Sequence, residues 1–260
     1  MTSDSILTSI DDGVATLAMN RPERHNAFDD TLINEMTSVL QEFEQSPAVR
    51  VVILSGNGKS FSAGADLNWM KRMAEYSREE NYRDAMALGG LMSTLDGLAK
   101  PTIARVHGAA IGGGVGLVAA CDIVIASEAA VFAFSEVRLG LIPAAISPYV
   151  VKAIGERAAR RYFVTAERFD AREAHRLGLV HEVVADTALD SRINTLLDQM
   201  RGNGPLAMAA AKRLARDVSR GPVNETMIED TSRRIANIRV SPEGQEGLGA
   251  FLEKRKPSWN

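Results

Sequence analysis

Residues 107–136 read HGAAIGGGVGLVAACDIVIASEAAVFAFSE and contain a glycine triplet at 112–114. Glycine has no Cβ, so such a run allows unusual backbone dihedrals and lets a ligand approach main-chain N–H groups at a helix start. Val115 and Gly116, which follow the triplet, carry no acid or base. We therefore take Glu136, at the end of the stretch, as the candidate for proton chemistry.

Predicted strands and helices alternate along most of the chain. Period-two patterns and short buried runs bounded by turn residues predict strands at residues 14–19, 51–54, 101–106, 123–126 and 131–134. Apolar residues at helical spacing predict a helix at 31–43 with Asp29 or Asp30 as its cap. This alternation predicts an α/β fold class.

Near the C-terminus only helices are predicted. They span residues 189–201, 206–219, 223–238 and 243–254, the last opened by Ser241 as N-cap and Pro242. Gly-Asn-Gly-Pro at 202–205 is the boundary candidate, so we expect an α/β core at residues 1–201 and a helical region at residues 202–260. Such short helices cannot bury both faces alone, so this region is expected to pack against the core or a neighbouring subunit.

The composition argues against several classes of protein. Cys121 is the only cysteine, which excludes an intramolecular disulfide framework and favours a cytoplasmic location. The N-terminus lacks a signal-peptide pattern and no long apolar run occurs, so neither secretion nor membrane spanning is expected. The net charge of −3 gives no reason to expect nucleic-acid binding. We interpret one basic cluster as a solvated helix face: Arg157, Arg160, Arg161 and Arg168.

Common sequence signatures of metal, nucleotide and hydrolase sites are absent or weak. The four histidines show no metal-ligand spacing, so no metal is expected; they are His25, His107, His175 and His181. Residues 114–119, GVGLVA, match the loose dinucleotide fingerprint GxGxxA after a predicted strand. Two predicted strands separate this match from Glu136, whereas a βαβ unit places its acid on the strand right after the helix. Dinucleotide binding stays a weak alternative.

A second glycine-bearing turn, SFSAGAD at residues 60–66, also follows a strand and precedes a helix. Two such turns can converge on one carbonyl oxygen, and two backbone N–H groups aimed at a developing negative charge form an oxyanion hole. For a thioester, that oxygen is the enolate oxygen. A carboxylate at Glu136 could then move protons at the carbons α and β to the carbonyl. The equally open alternative is a surface ion pair between Glu136 and Arg138.

Several segments together resemble one family, in its order and spacing. They are Asn20-Arg21-Pro22 through Asn26-Ala27-Phe28, FSAGADL at 61–67, HGAAIGGG at 107–114, Cys121-Asp122, and residues 136–143. With the closing residues 250–257, they extend over essentially the whole chain. The chain resembles the enoyl-CoA hydratase/isomerase (crotonase) family.

This resemblance implies a crotonase-type spiral of ββα units with a helical C-terminal region for trimerisation and a lid, and trimers that often pair into hexamers. It implies an acyl-CoA thioester substrate, with coenzyme A as part of the substrate and no further cofactor. The N–H groups of Ala65 and Gly113 would form the oxyanion hole. The remaining implied contacts to coenzyme A come from the main chain around Ala63, Asp66 and Leu67 and from the basic side chains of Arg24 and Lys254.

One position departs from the two-glutamate hydratases, which carry a glutamate just after the glycine triplet and another at the position of Glu136. Here the first is Gly116. The string SEVRLGLIPAAISP at 135–148 is similar to bacterial 3-methylglutaconyl-CoA hydratases of leucine degradation and their isohexenylglutaconyl relatives. This implies a hydratase that adds water across the 2,3 double bond of a 2-enoyl-CoA, with Arg138 as a candidate partner for a distal carboxylate.

Two other functions stay open. Family members with one glutamate include isomerases that shift a double bond. The missing glutamate is also consistent with a non-catalytic acyl-CoA-binding protein.

Overall fold

The computed structural model describes residues 5–219 and 221–259. They fall into two units, the first comprising the described residues up to Leu98 together with Thr102–Asp190, and the second Ala99–Pro101 together with the described residues from Ser191 onward. The division therefore lies near the start of the helix that begins at Leu189, earlier than the sequence-based boundary at 201/202. The functions assigned to the two regions stay predictions.

Parallel pairing dominates the sheets of the first unit. The strands are β1 (Ile6–Asp11), β2 (Val14–Met19), β3 (Val51–Gly56), β4 (Thr102–Val106), β5 (Ala109–Ile111), β6 (Ile123–Ser127), β7 (Val131–Ala133), β8 (Phe169–Asp170) and β9 (Glu182–Val184). The larger sheet has the order β1-β2-β3-β4-β6-β9, and only β1 and β2 pair antiparallel. The smaller sheet has the order β5-β7-β8, with β5 and β7 parallel and β7 and β8 antiparallel.

Helices connect these strands and form most of the second unit. They are α1 (Asp30–Gln45), α2 (Leu67–Glu75), α3 (Arg78–Gly97), α4 (Gly113–Ala120), α5 (Ser147–Thr165), α6 (Ala171–Leu177), α7 (Leu189–Arg201), α8 (Pro205–Val218), α9 (Glu225–Arg239) and α10 (Pro242–Leu252). Asp29 caps α1 by accepting a hydrogen bond from Leu32 N at 2.9 Å, and Ser241 caps α10 as predicted.

The first unit repeats one pattern. A strand of the larger sheet leads to an extended segment in the smaller sheet, and a helix follows. Thus β4 leads to β5 and α4, and β6 leads to β7 and then, after a short 3-10 helix, to α5. The repetition gives the α/β spiral of ββα units that the family resemblance implies.

Single β-bridges extend the smaller sheet at its β5 edge. Ser62 bridges Ala110 of β5, and Phe28 bridges Ala65, both in parallel orientation. The two glycine-bearing turns and the Asn26-Ala27-Phe28 segment therefore lie side by side. The core of the unit is built mainly from aliphatic and aromatic side chains, and Phe28, Phe61, Phe132 and Phe134 are among its largest fully buried members.

Candidate active site

The predicted catalytic residues lie at one edge of the smaller sheet. Gly113 follows the end of β5, Glu136 follows the end of β7, and Ala65 follows the segment that bridges β5 through Ser62. These segments run parallel, and the carboxyl ends of parallel strands meet at the same edge of a sheet. Sheet pairing thus places Ala65, Gly113 and Glu136 at a common edge.

The two glycine-bearing turns are in direct backbone contact. Ser62 N donates to Ala109 O at 3.0 Å, and Ile111 N donates to Ser62 O at 2.9 Å. A Cβ on Gly114 would lie 2.8 Å from Ser62 O, and a Cβ on Gly64 would lie 3.2 Å from Ile111 O. Glycine is required here because the two main chains approach too closely for side chains.

Two backbone amides at this edge lack an acceptor within the described part of the chain. Phe28 N donates to Gly64 O and Asp66 N donates to Phe28 O, each at 2.7 Å. Successive backbone groups of an extended segment point to opposite sides, so the N–H of Ala65, between these two residues, points away from Phe28 and has no acceptor in the described residues. Gly113 is the first residue of α4, and its N–H, at the helix start, has no intrahelical acceptor. The N–H groups of Ala65 and Gly113 are therefore available to a carbonyl oxygen, as an oxyanion hole requires.

The carboxylate of Glu136 lies directly beside the glycine triplet. Its Oε1 is 3.0 Å from the position that a Cβ on Gly112 would occupy. Gly112 has φ +53° and ψ −118°, a conformation that glycine alone adopts readily. Within the described residues, the buried Oε2 of Glu136 has no hydrogen-bond partner. Burial raises the pKa of this carboxyl above its ordinary value, which favours a role in proton transfer.

Arg138 does not form the alternative ion pair with Glu136. Glu136–Leu139 is a short 3-10 helix, so residues two apart project in different directions. Arg138 Nη2 instead donates to the carbonyl oxygen of Ala166 at 2.7 Å, just past the end of α5. Its proposed contact with a distal substrate carboxylate stays a prediction.

The position of the missing glutamate is filled by neighbouring side chains. A Cβ on Gly116 would lie 2.2 Å from Ile146 Cγ2 and 3.2 Å from Met92 Cε. No larger side chain fits at this point of α4 unless Ile146 moves. The packing also argues against the dinucleotide interpretation, because Gly114 and Gly116 lie inside α4 and serve close packing rather than a phosphate-binding turn.

Asp66 ties the first glycine-bearing turn to the Arg21–Arg24 segment. Its Oδ1 accepts from Asn68 N at 2.8 Å and caps α2, while its Oδ2 accepts from Arg24 Nη1 at 3.1 Å. Buried Arg21 reaches the same Oδ2 at 3.4 Å. Burial favours the neutral acid, but the hydrogen bonds from the α2 amides and from Arg24 lower the pKa of Asp66 below its usual value.

The other residues predicted to hold coenzyme A are found in different environments. Ala63 and Leu67 are exposed, although Ala63 N already donates to His25 O at 2.9 Å. Arg24 is exposed while it pairs with Asp66. Lys254 lies in the second unit, just past the end of α10, and is exposed.

Comparison with known proteins decides the family. A model of the enoyl-CoA hydratase/isomerase family matches residues 9–260 of the chain. The chain belongs to this family. This enoyl-CoA hydratase/isomerase member is 49% identical to the solved structure of an enoyl-CoA hydratase from Shewanella pealeana, with a TM-score of 0.95 and coverage of 98% of this chain and 96% of that one.

Further relatives agree with this assignment. The structure of Pseudomonas aeruginosa AtuE is 37% identical, with a TM-score of 0.94 and coverage of 98% and 99% of the two chains. Enoyl-CoA hydratase AKT6-1 of Alternaria alternata is 34% identical over 251 residues, which cover 94% of this chain and 80% of that protein. The crotonase fold that the resemblance implies is confirmed.

Some residues that shape the site were outside the sequence-based site. Phe28 contacts both turns, and Ile146 closes the space at Gly116. Arg21 joins Asp66 of the first turn to Asp29, with which it forms a 2.7 Å ion pair. The Asn-Arg-Pro and Asn-Ala-Phe motifs were the only sequence signal for Arg21 and Phe28. Nothing in the pattern pointed to Ile146, because its contact joins distant segments.

Two structural findings bear on other kinds of site. Among residues 5–219 and 221–259, no helix has the length and apolar character to cross a membrane. No group of three or more potential metal-ligating side chains occurs in the same residues.

Proposed function

We propose that the chain is an enoyl-CoA hydratase that adds water across the 2,3 double bond of a 2-enoyl-CoA. The observation that carries this proposal is the buried carboxylate of Glu136 beside two unused backbone amides, those of Ala65 and Gly113. This arrangement suits a thioester whose carbonyl oxygen becomes negative while a proton moves nearby.

The hydration step uses these groups in order. The Ala65 and Gly113 amides donate to the thioester oxygen and stabilise the enolate that forms as water attacks Cβ. Glu136 accepts one proton from that water, so the hydroxyl bonds to Cβ, and then delivers a proton to Cα, which restores the carbonyl. Each hole donor contributes roughly a hundredfold to a thousandfold in rate, and a positioned acid/base roughly a hundredfold or more.

One carboxylate has to serve both proton transfers. The space at Gly116, where two-glutamate hydratases carry their other carboxylate, is occupied by Ile146 and Met92. Burial raises the pKa of Glu136, and this supports the double use because a raised pKa makes the protonated acid, which the second transfer needs, easier to form.

The isomerase function is the second candidate, and it is supported by the packing at Gly116, which leaves no room for another carboxylate there. A single carboxylate beside an oxyanion hole can also remove a proton at one carbon and return it at another without water. Within the described residues, the unpartnered Oε2 of Glu136 suits either proton donor or acceptor chemistry. Uptake of water separates the two functions.

We further propose 3-methylglutaconyl-CoA, in leucine degradation, as the substrate, with isohexenylglutaconyl-CoA as the alternative. The support is the similarity of residues 135–148 to hydratases of those substrates. Arg138 is the candidate partner for the distal carboxylate, although its Nη2 donates to Ala166 O. Replacement of Arg138 by Met should lower kcat/KM on the dicarboxylic substrate far more than on crotonyl-CoA; equal losses would contradict this role.

The remaining parts of the proposal concern binding and assembly. Coenzyme A would contact the main chain around Ala63, Asp66 and Leu67, with Arg24 and Lys254 at its phosphates. It enters as part of the substrate, and no separate cofactor takes part. We propose a cytoplasmic homotrimer, or a hexamer made of two trimers, held by the helical C-terminal region.

The test is a turnover survey in water enriched in oxygen-18. Crotonyl-CoA, 3-methylglutaconyl-CoA and a longer branched glutaconyl-CoA are each incubated with the protein, and the products are analysed by mass spectrometry. A hydratase loses the enoyl-thioester absorbance and incorporates one heavy oxygen atom. Products of unchanged mass with a moved double bond would replace this proposal with the isomerase function. Binding without turnover of any substrate would refute both.

A further inference from the structure

We propose that Phe28 is a positioning residue that fixes the two amides of the oxyanion hole, those of Ala65 and Gly113, relative to each other. The inference rests on the proposed function, because it assumes that the Ala65 and Gly113 amides bind the thioester oxygen. It goes further because it says which residue determines the distance between those amides, namely Phe28 through its side chain and its backbone.

The backbone of Phe28 holds the first half of the hole. Its N–H donates to Gly64 O and its carbonyl oxygen accepts from Asp66 N, both at 2.7 Å. These two hydrogen bonds flank Ala65 on either side and fix the plane of the intervening peptide. The direction of the Ala65 N–H is therefore set by its pairing with Phe28.

The side chain of Phe28 holds the second half. A Cβ placed on Gly113 would lie 3.0 Å from Phe28 Cε2 and 3.2 Å from Phe28 Cδ2. The ring edge thus packs directly against the bare Cα of Gly113, at the first residue of α4. Phe28 is only 1% exposed, so it acts through the two amides and has no surface for the substrate.

The arrangement has a mechanical consequence. Because Phe28 is buried, packing holds its ring in one rotamer relative to its backbone. The distance between the two donor amides therefore depends on the size and rigidity of the residue at position 28. Small misplacements of catalytic groups cost large factors in rate, on the order of a hundredfold for about 1 Å. A smaller or more flexible side chain should therefore loosen the hole while the backbone bridge to Ala65 persists.

The experiment compares F28L with F43L, a change at a buried phenylalanine in the last turn of α1, since the bridge to Ala65 and the contact with Gly113 belong to Phe28. We expect both variants to lose stability. F28L should lose kcat on the order of tenfold to a hundredfold, with KM changed much less, whereas F43L should keep kcat near the wild-type value. F28M, whose unbranched side chain adapts to the space that the ring leaves, replaces F28L if the latter does not fold.

A spectroscopic measurement separates positioning from a general loss of structure. The carbonyl stretch of a bound enoyl thioester reports how strongly the hole polarises it. Both F28L and F28M should shift this band toward its value in free solution, while F43L leaves it at the wild-type position. An unchanged band in F28L together with an unchanged kcat would overturn the role of Phe28.

A second substitution tests the contact itself. G113A keeps the amide but places a methyl group against the ring, so it should lower kcat. In the double variant with F28L, the smaller side chain makes room, and we expect part of the lost kcat to return. Additive losses would overturn the proposed contact. A wild-type protein that binds an enoyl-CoA without polarising its carbonyl would instead refute the proposed function.

Discussion

The close approach of Glu136 to Gly112 makes one substitution especially informative. G112A places a Cβ 3.0 Å from Glu136 Oε1 in a residue whose φ is +53°. A non-glycine residue in such a sparsely populated conformation costs about 1–3 kcal/mol of folding free energy. The methyl group must also push the carboxylate by a few tenths of an ångström, away from the position in which it serves the thioester.

The chain offers a matched control for this strain. Gly155, within α5, has φ +76° and ψ 156°, and a Cβ there would meet no heavy atom within 4 Å. G155A should therefore lose about 1–3 kcal/mol of stability from backbone strain alone. Urea unfolding measures that loss in both variants, and the hydration assay measures kcat/KM in each.

G112A and G155A should lose similar amounts of stability but differ in activity. We expect G112A to lose kcat/KM on the order of tenfold or more through the displaced carboxylate, and G155A to keep the wild-type value. Equal activity in a folded G112A would refute the placement of Glu136 as the proton-transfer group. Equal losses in both variants would show that backbone strain, rather than the carboxylate, controls the rate.

Three further predictions test packing, ionisation and ion pairing. G116A should destabilise the protein by about 1–3 kcal/mol in urea unfolding, because its methyl group overlaps Ile146. G90A should not, because Gly90 is an exposed residue of α3 with open space around its Cβ. The acid limb of kcat/KM should lie above pH 4.5, because burial raises the pKa of Glu136, and a limb at or below 4.5 would contradict the burial argument. By linkage, the stability that Glu136 contributes is present below its unfolded pKa and is lost as pH rises through its raised folded pKa. D66N should still cap α2 but lose its ion pairs with Arg24 and Arg21, at a cost of up to about 1 kcal/mol above the unfolded pKa of Asp66. This difference from wild type should shrink as pH falls through the lowered folded pKa, and a pH-independent difference would refute the role of the ion pairs.

Local sequence signals predicted the regular elements well. The strand at Val14–Met19 and the helix at Leu189–Arg201 have the predicted bounds, and Asp29 and Ser241 cap their helices. These features depend on periodicity and on residues that satisfy nearby amides, which a single sequence displays. By contrast, β5 was missed because Ala109–Ile111 becomes a strand only through its pairing with β7.

The missing parts of the site have the same cause. The glycine turns and Glu136 were visible, but the contacts of Phe28 with Gly113 and of Ile146 with Gly116 join segments far apart in sequence. The bounds of helix α5 were not predicted, because the sequence indicated a helix there only through a basic cluster, and the positive φ of Gly155 interrupts it. Three of the four arginines interpreted as a solvated helix face lie on α5 and are exposed; they are Arg157, Arg160 and Arg161.

The measurement that tests the central claim most directly is hydration by E136Q. Glutamine keeps the size of the side chain and removes its proton chemistry. We expect the hydration rate to fall by roughly a hundredfold to ten-thousandfold, while the affinity for acyl-CoA stays within about threefold of wild type. A folded E136Q that hydrates its substrate at close to the wild-type rate would contradict the assignment of the proton transfers to Glu136.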